Sequence, residues 1–372
     1  MSTKPTICSM LLVFVTTAPA SAGDRDTPNW NQDQAAKYLD SRAKEWFEYS
    51  SADRGREQNK TSCVSCHTLL PYALARPVLR KLSDAAQPAA LESELVGQIK
   101  KRVEHWNELD AEKYGLLYSF DEQKKKESRG TEAVISSLVL ARLDRAEGRK
   151  EPSEFTQKAL SNLWQVQVAE GEQKGSWTWL DFGSEPWEAK GSRYWGAALA
   201  AVAVGTAPGY YAPGRSGQLD EKVESLRSYL HNHLAAQNLH NRLGMLWAST
   251  QLDNLLKEEE QNQVVRAVFA KQQADGGWSL PSLGTFTRKD GTPQATDSDG
   301  YATGLVLHVL QTAGVPKSDA RVARGLSWLK SHQAATGAWL TSSVNKKRNP
   351  ATHIGKFMSD AATAYAVLAL SH

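Results

Sequence analysis

The feature that most constrains the fold of this 372-residue chain is a short pattern that occurs twice with the same spacing. Residues 272–278 read QQADGGW and residues 333–339 read QAATGAW, so Gln is followed by Gly and then Trp at identical intervals. A partial copy, Gly175-Ser176-Trp177, follows Gln167 with an insertion. Repeats of this kind indicate copies of one supersecondary unit that pack against each other.

Each copy lies between two segments of different hydrophobic pattern. Before it, apolar residues such as Val264, Val265 and Val268 recur with the period of a helix that has one apolar stripe. After it, a polar loop leads to a segment that is apolar on nearly every face, as in residues 301–310 and 361–370. The second kind of helix must be buried, and the striped helix lies outside it.

The same alternation extends backwards along the chain and predicts six helical hairpins. The striped helices are predicted near residues 33–49, 92–107, 155–168, 219–236, 261–273 and 319–333. The apolar helices are predicted near residues 68–81, 131–145, 193–206, 240–256, 299–313 and 359–370. When the sixth hairpin packs on the first, the two sets form a closed double ring. The sequence therefore predicts an all-α fold, an (α/α)6 toroid.

The repeats resemble those of the squalene and hopene cyclases, and more broadly those of the terpenoid-cyclase and protein-prenyltransferase toroids. The repeat pattern covers residues 150–372, and the first 150 residues follow by extrapolation. The resemblance implies that Gln272, Trp278, Gln333 and Trp339 are structural and tie the outer helices together.

Residues 1–22 have the pattern of a secretory signal peptide, with Lys4, an apolar run over residues 7–15 and Ala20-Ser21-Ala22 before the expected cleavage. We therefore expect residues 23–372 to form one toroid domain that is periplasmic or secreted. No stretch approaches the roughly 20 apolar residues that a transmembrane helix needs. The formal charge of +3 gives no indication of nucleic-acid binding.

Residues 61–67 read TSCVSCH and contain Cys63 and Cys66, the two cysteines of the expected mature chain. Cys-x-x-Cys-His is typical of c-type haem attachment, in which two thiols bond the haem and the histidine ligates iron. The sequence thus predicts a covalent haem c at Cys63 and Cys66 with His67 on the metal. The motif lies on one of five long loops that should share one face of the ring, where function is expected.

Two other interpretations of the motif stay open. A Cys63–Cys66 disulfide needs nothing from His67. A zinc ion needs about four ligands, so His353 would have to complete the set. If the motif holds haem, ring closure brings the sixth loop beside it, and Met358 and His353 become the candidates for the second axial ligand of the iron.

A second candidate site is the stretch TDSDGYAT at residues 296–303, where the fifth apolar helix begins. It resembles the Asp-x-Asp-Asp-Thr-Ala motif of hopene cyclases, whose middle Asp protonates an alkene or epoxide. The resemblance implies that Asp299 is a general acid and Asp297 its partner, although Gly300 replaces one carboxylate of the motif. The competing interpretation is that these residues cap the helix.

Aromatic residues also crowd the third loop, namely Trp177, Trp179, Trp187, Tyr194 and Trp195. They either line the mouth of an apolar cavity or pack between hairpins.

The leading hypothesis is an exported c-type haem protein that performs electron transfer or a redox step near an apolar ligand, with a redox protein as partner. One alternative is an isoprenoid cyclase-like enzyme that uses Asp299 as general acid. Another is a non-enzymatic binding module in which Cys63 and Cys66 form a disulfide or a zinc site.

Overall fold

The computed structural model describes residues 30–55, 59–85, 87–109, 115, 121–214 and 216–372. The described part contains the α-helices α1 (Gln32–Phe47), α2 (Leu69–Leu82), α3 (Ala90–Glu104), α4 (Glu122–Ala146), α5 (Glu154–Gln165), α6 (Ser192–Thr206), α7 (Gly217–His233), α8 (Leu239–Ser249), α9 (Glu258–Phe269), α10 (Gly300–Thr312), α11 (Ala320–Ser331) and α12 (Phe357–Leu370). The strands β1 (Asp53–Arg54) and β2 (Thr61–Ser62) pair antiparallel. The predicted signal peptide lies outside the described residues.

The helices alternate between an inner and an outer layer. In α10, every residue except Thr312 is buried, whereas α9 buries Val264, Val268 and Phe269 alone. The inner helices α2, α4, α6, α8, α10 and α12 pack side by side, and α12 packs on α2 as well as on α10. The predicted (α/α)6 toroid is confirmed. Among the described helices, none has the length and apolar character to cross a membrane.

The repeated Gln and Trp residues act as the resemblance implies. The indole N–H of Trp278 donates to the Val268 carbonyl at 2.8 Å, and the indole of Trp339 makes the same contact with Leu329. The Gln272 amide donates to its own Gly276 carbonyl and to the Arg321 carbonyl on the next outer helix. Each repeat therefore fixes its own hairpin and holds the following one.

The last copy of this contact closes the ring. The Gln333 amide donates to the Asn31 carbonyl at 2.9 Å, and its carbonyl oxygen accepts from the Asn31 N–H at 2.6 Å. One turn into α12, Asp360 accepts from the Arg42 guanidinium at 2.7 Å, and both side chains are 1% exposed. The first and last hairpins are thus joined by paired hydrogen bonds and a buried ion pair.

Two boundaries differ from the predicted ones. Helix α4 begins at Glu122, inside the predicted loop at 108–130, because Asp121 caps it by accepting from the Lys124 N–H. Its first turns are charged and carry no apolar pattern, so periodicity did not reveal them. Helix α8 ends at Ser249 rather than at 256, since Leu252, Leu255 and Leu256 are buried in turns that continue the apolar pattern without a helix.

Ring closure requires glycine at position 337. Gly337 has a φ of +89°, and a Cβ there would overlap the Gln34 carbonyl. Gly291 has a φ of +71° with no atom within 4 Å of an added Cβ. We expect Gly291→Ala to lower the free energy of unfolding by about 1–2 kcal/mol through backbone strain alone. Gly337→Ala should lower it by clearly more, because the α1 backbone must also move.

Urea denaturation of the two variants and the wild type measures this difference. Equal losses in the two variants would mean that the junction between the last and first hairpins does not constrain the fold.

Candidate functional site

The long loops of the hairpins open on one face of the ring, because each joins the end of an outer helix to the start of an inner one. The first of these loops carries the Cys-x-x-Cys-His residues. The Cys63 N–H donates to the Ala52 carbonyl at 2.8 Å, which continues the β1–β2 pairing, and the Trp46 indole donates to the Cys63 carbonyl at 2.7 Å. These contacts direct the two cysteines and the histidine towards the centre of the ring.

Cys63 and Cys66 are not joined by a disulfide bond. Burial raises the pKa of the Cys66 thiol well above its usual range, and the carboxyl of Glu188, which the thiol contacts by a hydrogen bond, acts in the same direction. Burial also raises the pKa of Cys63, against the opposing charges of Arg54 and Arg102. Both thiols are therefore protonated at neutral pH in the folded protein, which makes them poor nucleophiles.

His67 is packed among aromatic rings. Its imidazole stacks on Phe357 with ring centroids 3.9 Å apart, and Trp46 lies edge-on at 5.0 Å. Nδ1 is 2.9 Å from the Thr68 hydroxyl. Burial lowers the pKa of His67 to about 3, and the charge of Arg42 acts in the same direction, so the ring is neutral.

The residues predicted to complete a metal site are held apart from His67. Phe357 lies between the two histidines, because its ring contacts both His67 and, at 5.1 Å, His353. His353 faces Glu45, with Nδ1 3.3 Å from the carboxylate. Met358 is buried in the first turn of α12. In the part of the chain that the structure describes, no three His, Cys, Asp or Glu side chains converge as a metal site would require.

Asp299 and Asp297 are not brought together as a pair. Asp299 is the N-cap of α10, and its carboxylate accepts from the Ala302 N–H at 2.9 Å, the Thr341 hydroxyl at 3.0 Å and the Leu280 N–H at 2.5 Å. Asp297 is exposed and makes no hydrogen bond with the described residues. Burial nevertheless raises the pKa of Asp299 to about 6, against these donors.

The sequence analysis missed Glu188. This residue follows Trp187 on the third loop, and its half-buried carboxyl contacts the Cys66 thiol. Burial raises the pKa of its carboxyl to about 7, with the Cys66 thiol as the one opposing hydrogen-bond donor. The signal in the sequence was the aromatic crowding around it, which does not by itself indicate a carboxylic acid.

Tyr301 connects the third loop to α10. Its hydroxyl accepts from the Trp187 indole N–H at 2.9 Å and lies 2.8 Å from His240 Nε2. Burial lowers the pKa of His240 to about 4, so we assign a neutral imidazole whose Nε2 accepts the tyrosine proton. The rings of Trp187 and Tyr301 meet edge to face at 5.0 Å, and Tyr365 continues the stack at 5.6 Å.

We call the group formed by Glu188, Asp299, Trp187, Tyr301 and His240 the carboxyl site. It contains two half-buried carboxyl groups whose pKa values burial raises to about 7 and about 6, and Cys66, which contacts Glu188, lies near Tyr301. Perturbed carboxyl groups of this kind are typical of acid–base catalysis.

No protein-family model matches the chain, and no curated protein matches it. Among solved structures, a glycosidase variant superposes with a TM-score of 0.50 and 11% identity, over 91% of this chain and 97% of the other. The α-1,6-mannanase GH76A from Salegentibacter sp. HEL1_6 gives 0.49 and 10%, over 91% and 99%. The type II terpene cyclase MstE from Scytonema gives 0.47 and 14%, over 91% and 99%. The chain is an α/α toroid, and at these identities the similarity shows the fold alone.

The predictions of a haem c cofactor and of electron transfer are wrong, and so is the zinc alternative. A haem plane on His67 would have to displace Phe357 and Trp46, and Phe357 blocks the path from His67 to His353. The described residues also form no cluster that could hold a metal. The expectation of a redox partner depended on the haem and falls with it.

The raised pKa of Glu188 makes stability depend on pH. The folded-state pKa of about 7 exceeds the ordinary value of 4.5, so the folded protein binds more protons between these values and loses stability as pH rises through them. From pH 5 to pH 8, we expect the wild type to lose roughly 2–3 kcal/mol relative to Glu188→Gln.

Denaturant unfolding of both proteins at each pH measures this difference. Glu170→Gln, which changes an exposed residue of the same loop, is the matched control and should parallel the wild type. A Glu188→Gln variant that also parallels the wild type would show that the carboxyl is ionised normally.

The protonated thiols give a second prediction. In the native protein at pH 7, we expect iodoacetamide to modify Cys63 and Cys66 far more slowly than in urea, where the burial that raises their pKa values is lost. Mass spectrometry of the peptide that contains both residues should show two added groups after unfolding. Rapid native modification would contradict the burial, and resistance after unfolding would mean that the sulfurs carry another group.

Proposed function

We propose that this protein is an enzyme that protonates an unsaturated apolar substrate of the isoprenoid type at the carboxyl site. The observation that carries the proposal is Glu188, a half-buried carboxyl with a pKa of about 7 that contacts Cys66 near the Trp187–Tyr301 ring pair. A general acid works best when its pKa lies near the working pH, because it is then protonated and still acidic enough to give up its proton.

The surroundings of Glu188 suit this chemistry. The Cys66 thiol, which contacts Glu188, also lies near Tyr301 and Tyr365, whose rings form a continuous stack with Trp187. Aromatic faces are electron-rich and stabilise a cation that develops nearby, while their apolar surface excludes the water that would capture it. An uncharged substrate with carbon–carbon double bonds is complementary to such a surface of aromatic rings.

Asp299 takes a different role from the one that the resemblance implies. Its oxygens accept hydrogen bonds from Leu280, Ala302 and Thr341, and these donors favour the ionised carboxylate. With a pKa of about 6, it is mostly charged at pH 7. Asp299 therefore supplies negative charge that stabilises the cation, and Glu188 supplies the proton.

The O–H bond of Glu188 breaks as its proton bonds to one alkene carbon, which leaves a Glu188 carboxylate and a carbocation on the neighbouring carbon. An internal double bond closes a ring by attacking the cation. Loss of a proton from the cyclised cation then forms the product alkene and returns a proton to Glu188.

Incubation of the protein in D2O with polyprenyl alcohols of increasing chain length tests the proposal. We expect a product isomeric with its substrate that contains one solvent deuterium at the protonated carbon. Glu188→Gln should lower the rate by about 10²–10⁴-fold, since it removes the acid and keeps the shape. The Glu170→Gln control should react like the wild type.

Three outcomes would contradict this function. One is full activity in Glu188→Gln, which would move the acid elsewhere. Another is the absence of deuterated product from every polyprenyl alcohol. The third is hydrolysis of glycosides that depends on Glu188, which would keep the acid and replace the substrate class.

A further inference from the structure

A cavity of about 790 Å³ lies at the opposite end of the ring from the carboxyl site. Its walls come from the C-terminal halves of α2 and α4 and from α3. They are mainly apolar, with Leu74, Val78, Leu95, Val96 and Val139. Leu82, which is 41% exposed, lies on its rim. The volume falls within the ~300–1,000 Å³ that is usual for small-molecule sites.

The charged residues that line the cavity are mostly basic. Five are cationic, namely Arg80, Lys81, Lys100, Arg142 and Arg145, and two are acidic, namely Glu92 and Glu147. Both acidic side chains are already paired, Glu92 with Arg80 at 3.4 Å and Glu147 with Arg149 at 2.9 Å. An excess of positive charge therefore faces the cavity.

Arg142 is the central cation of this set. It lies on α4, deep in the protein, and makes no hydrogen bond or ion pair with the described residues. Burial lowers the pKa of its guanidinium, and the nearby charge of Arg145 adds to this effect. The half-buried guanidinium faces the cavity without a protein anion among the described residues, so it can pair with an anion that enters.

Three further side chains at this end of the ring have polar atoms without hydrogen-bond partners among the described residues. The Ser371 hydroxyl lines the cavity and has no hydrogen-bond partner. His308 is 5% exposed with both ring nitrogens unpartnered, and its ring meets Trp247, whose indole N–H is also unpartnered, at 5.4 Å. Burial lowers the pKa of His308 to about 3, and the charge of Arg142 contributes, which places the two groups near each other.

We propose that this cavity binds a long-chain carboxylate, with the carboxylate on Arg142 and Ser371 and the alkyl chain along α2 and α3. A guanidinium presents two parallel N–H donors that match the two oxygens of a carboxylate. The alkyl chain fits the apolar walls that lead to Leu82. The site is separate from the carboxyl site, and the proposal does not depend on the proposed catalytic function.

Isothermal titration calorimetry with dodecanoate and with its neutral counterpart dodecanol tests whether the charge of the carboxylate contributes to binding. We expect saturable binding of one dodecanoate per chain. Arg142→Met should weaken dodecanoate binding by about tenfold to a hundredfold, as expected for a lost charge-assisted hydrogen bond, and should leave dodecanol binding unchanged. Arg348→Met, which changes an exposed arginine outside the cavity, is the matched control and should bind like the wild type.

A second variant tests whether the ligands bind in this cavity, independently of their charge. Gly97 lines the cavity on α3, and an added Cβ there meets no atom within 4 Å. Gly97→Leu should fold at least as well as the wild type, because glycine is a poor helix former. Its side chain should occupy the cavity and weaken the binding of both dodecanoate and dodecanol.

The proposal is overturned if dodecanoate shows no saturable binding below its micelle concentration. It is also overturned if Arg142→Met and Arg348→Met bind dodecanoate equally, or if Gly97→Leu folds and leaves both affinities unchanged.

Discussion

Closure of the ring between the last hairpin and the first is the constraint on which the rest of the structure depends. An inner helix that is apolar on every face needs a neighbour on both sides, so α12 must pack on α2 as well as on α10. The buried pair Arg42–Asp360 and the paired hydrogen bonds of Gln333 with Asn31 fix this junction. Removing one partner of such a buried ion pair typically costs about 3–5 kcal/mol.

The same junction positions the loop face. Asp360 also accepts from the Thr68 hydroxyl at 2.7 Å, directly beside His67, and Phe357 at the start of α12 stacks on that histidine. The first loop is thus held by the last helix. Across the ring, the Trp187–Tyr301 hydrogen bond joins the third loop to α10. The carboxyl site exists because hairpins distant in sequence meet at one end of the toroid.

The two ends of the ring carry opposite charges, and each charge is the one that the dipoles of the inner helices stabilise at that end. The inner helices begin at the loop face, so their positive dipole ends lie near Asp299 and Glu188. Their C-terminal ends lie at the opposite cavity, where Arg142 and Arg145 are found on the last turns of α4. Carboxyl groups at one end and guanidinium groups at the other therefore agree with the direction of the helices.

The sequence by itself determined the architecture. Residues that are buried on one face of a helix recur with the helical period, as Val264 and Val268 do, and the repeated Gln272 and Trp278 mark each hairpin. It did not determine the chemistry of the site. Cys63, Cys66 and His67 have the spacing of a haem motif, yet Phe357, nearly 300 residues away, fills the space beside the imidazole.

No sequence pattern identified Glu188 or Arg142 as a functional residue, since an ordinary Glu or Arg becomes unusual only through what surrounds it. Tertiary structure alone decided their roles, because the burial that perturbs their charged states is assembled from several hairpins at once.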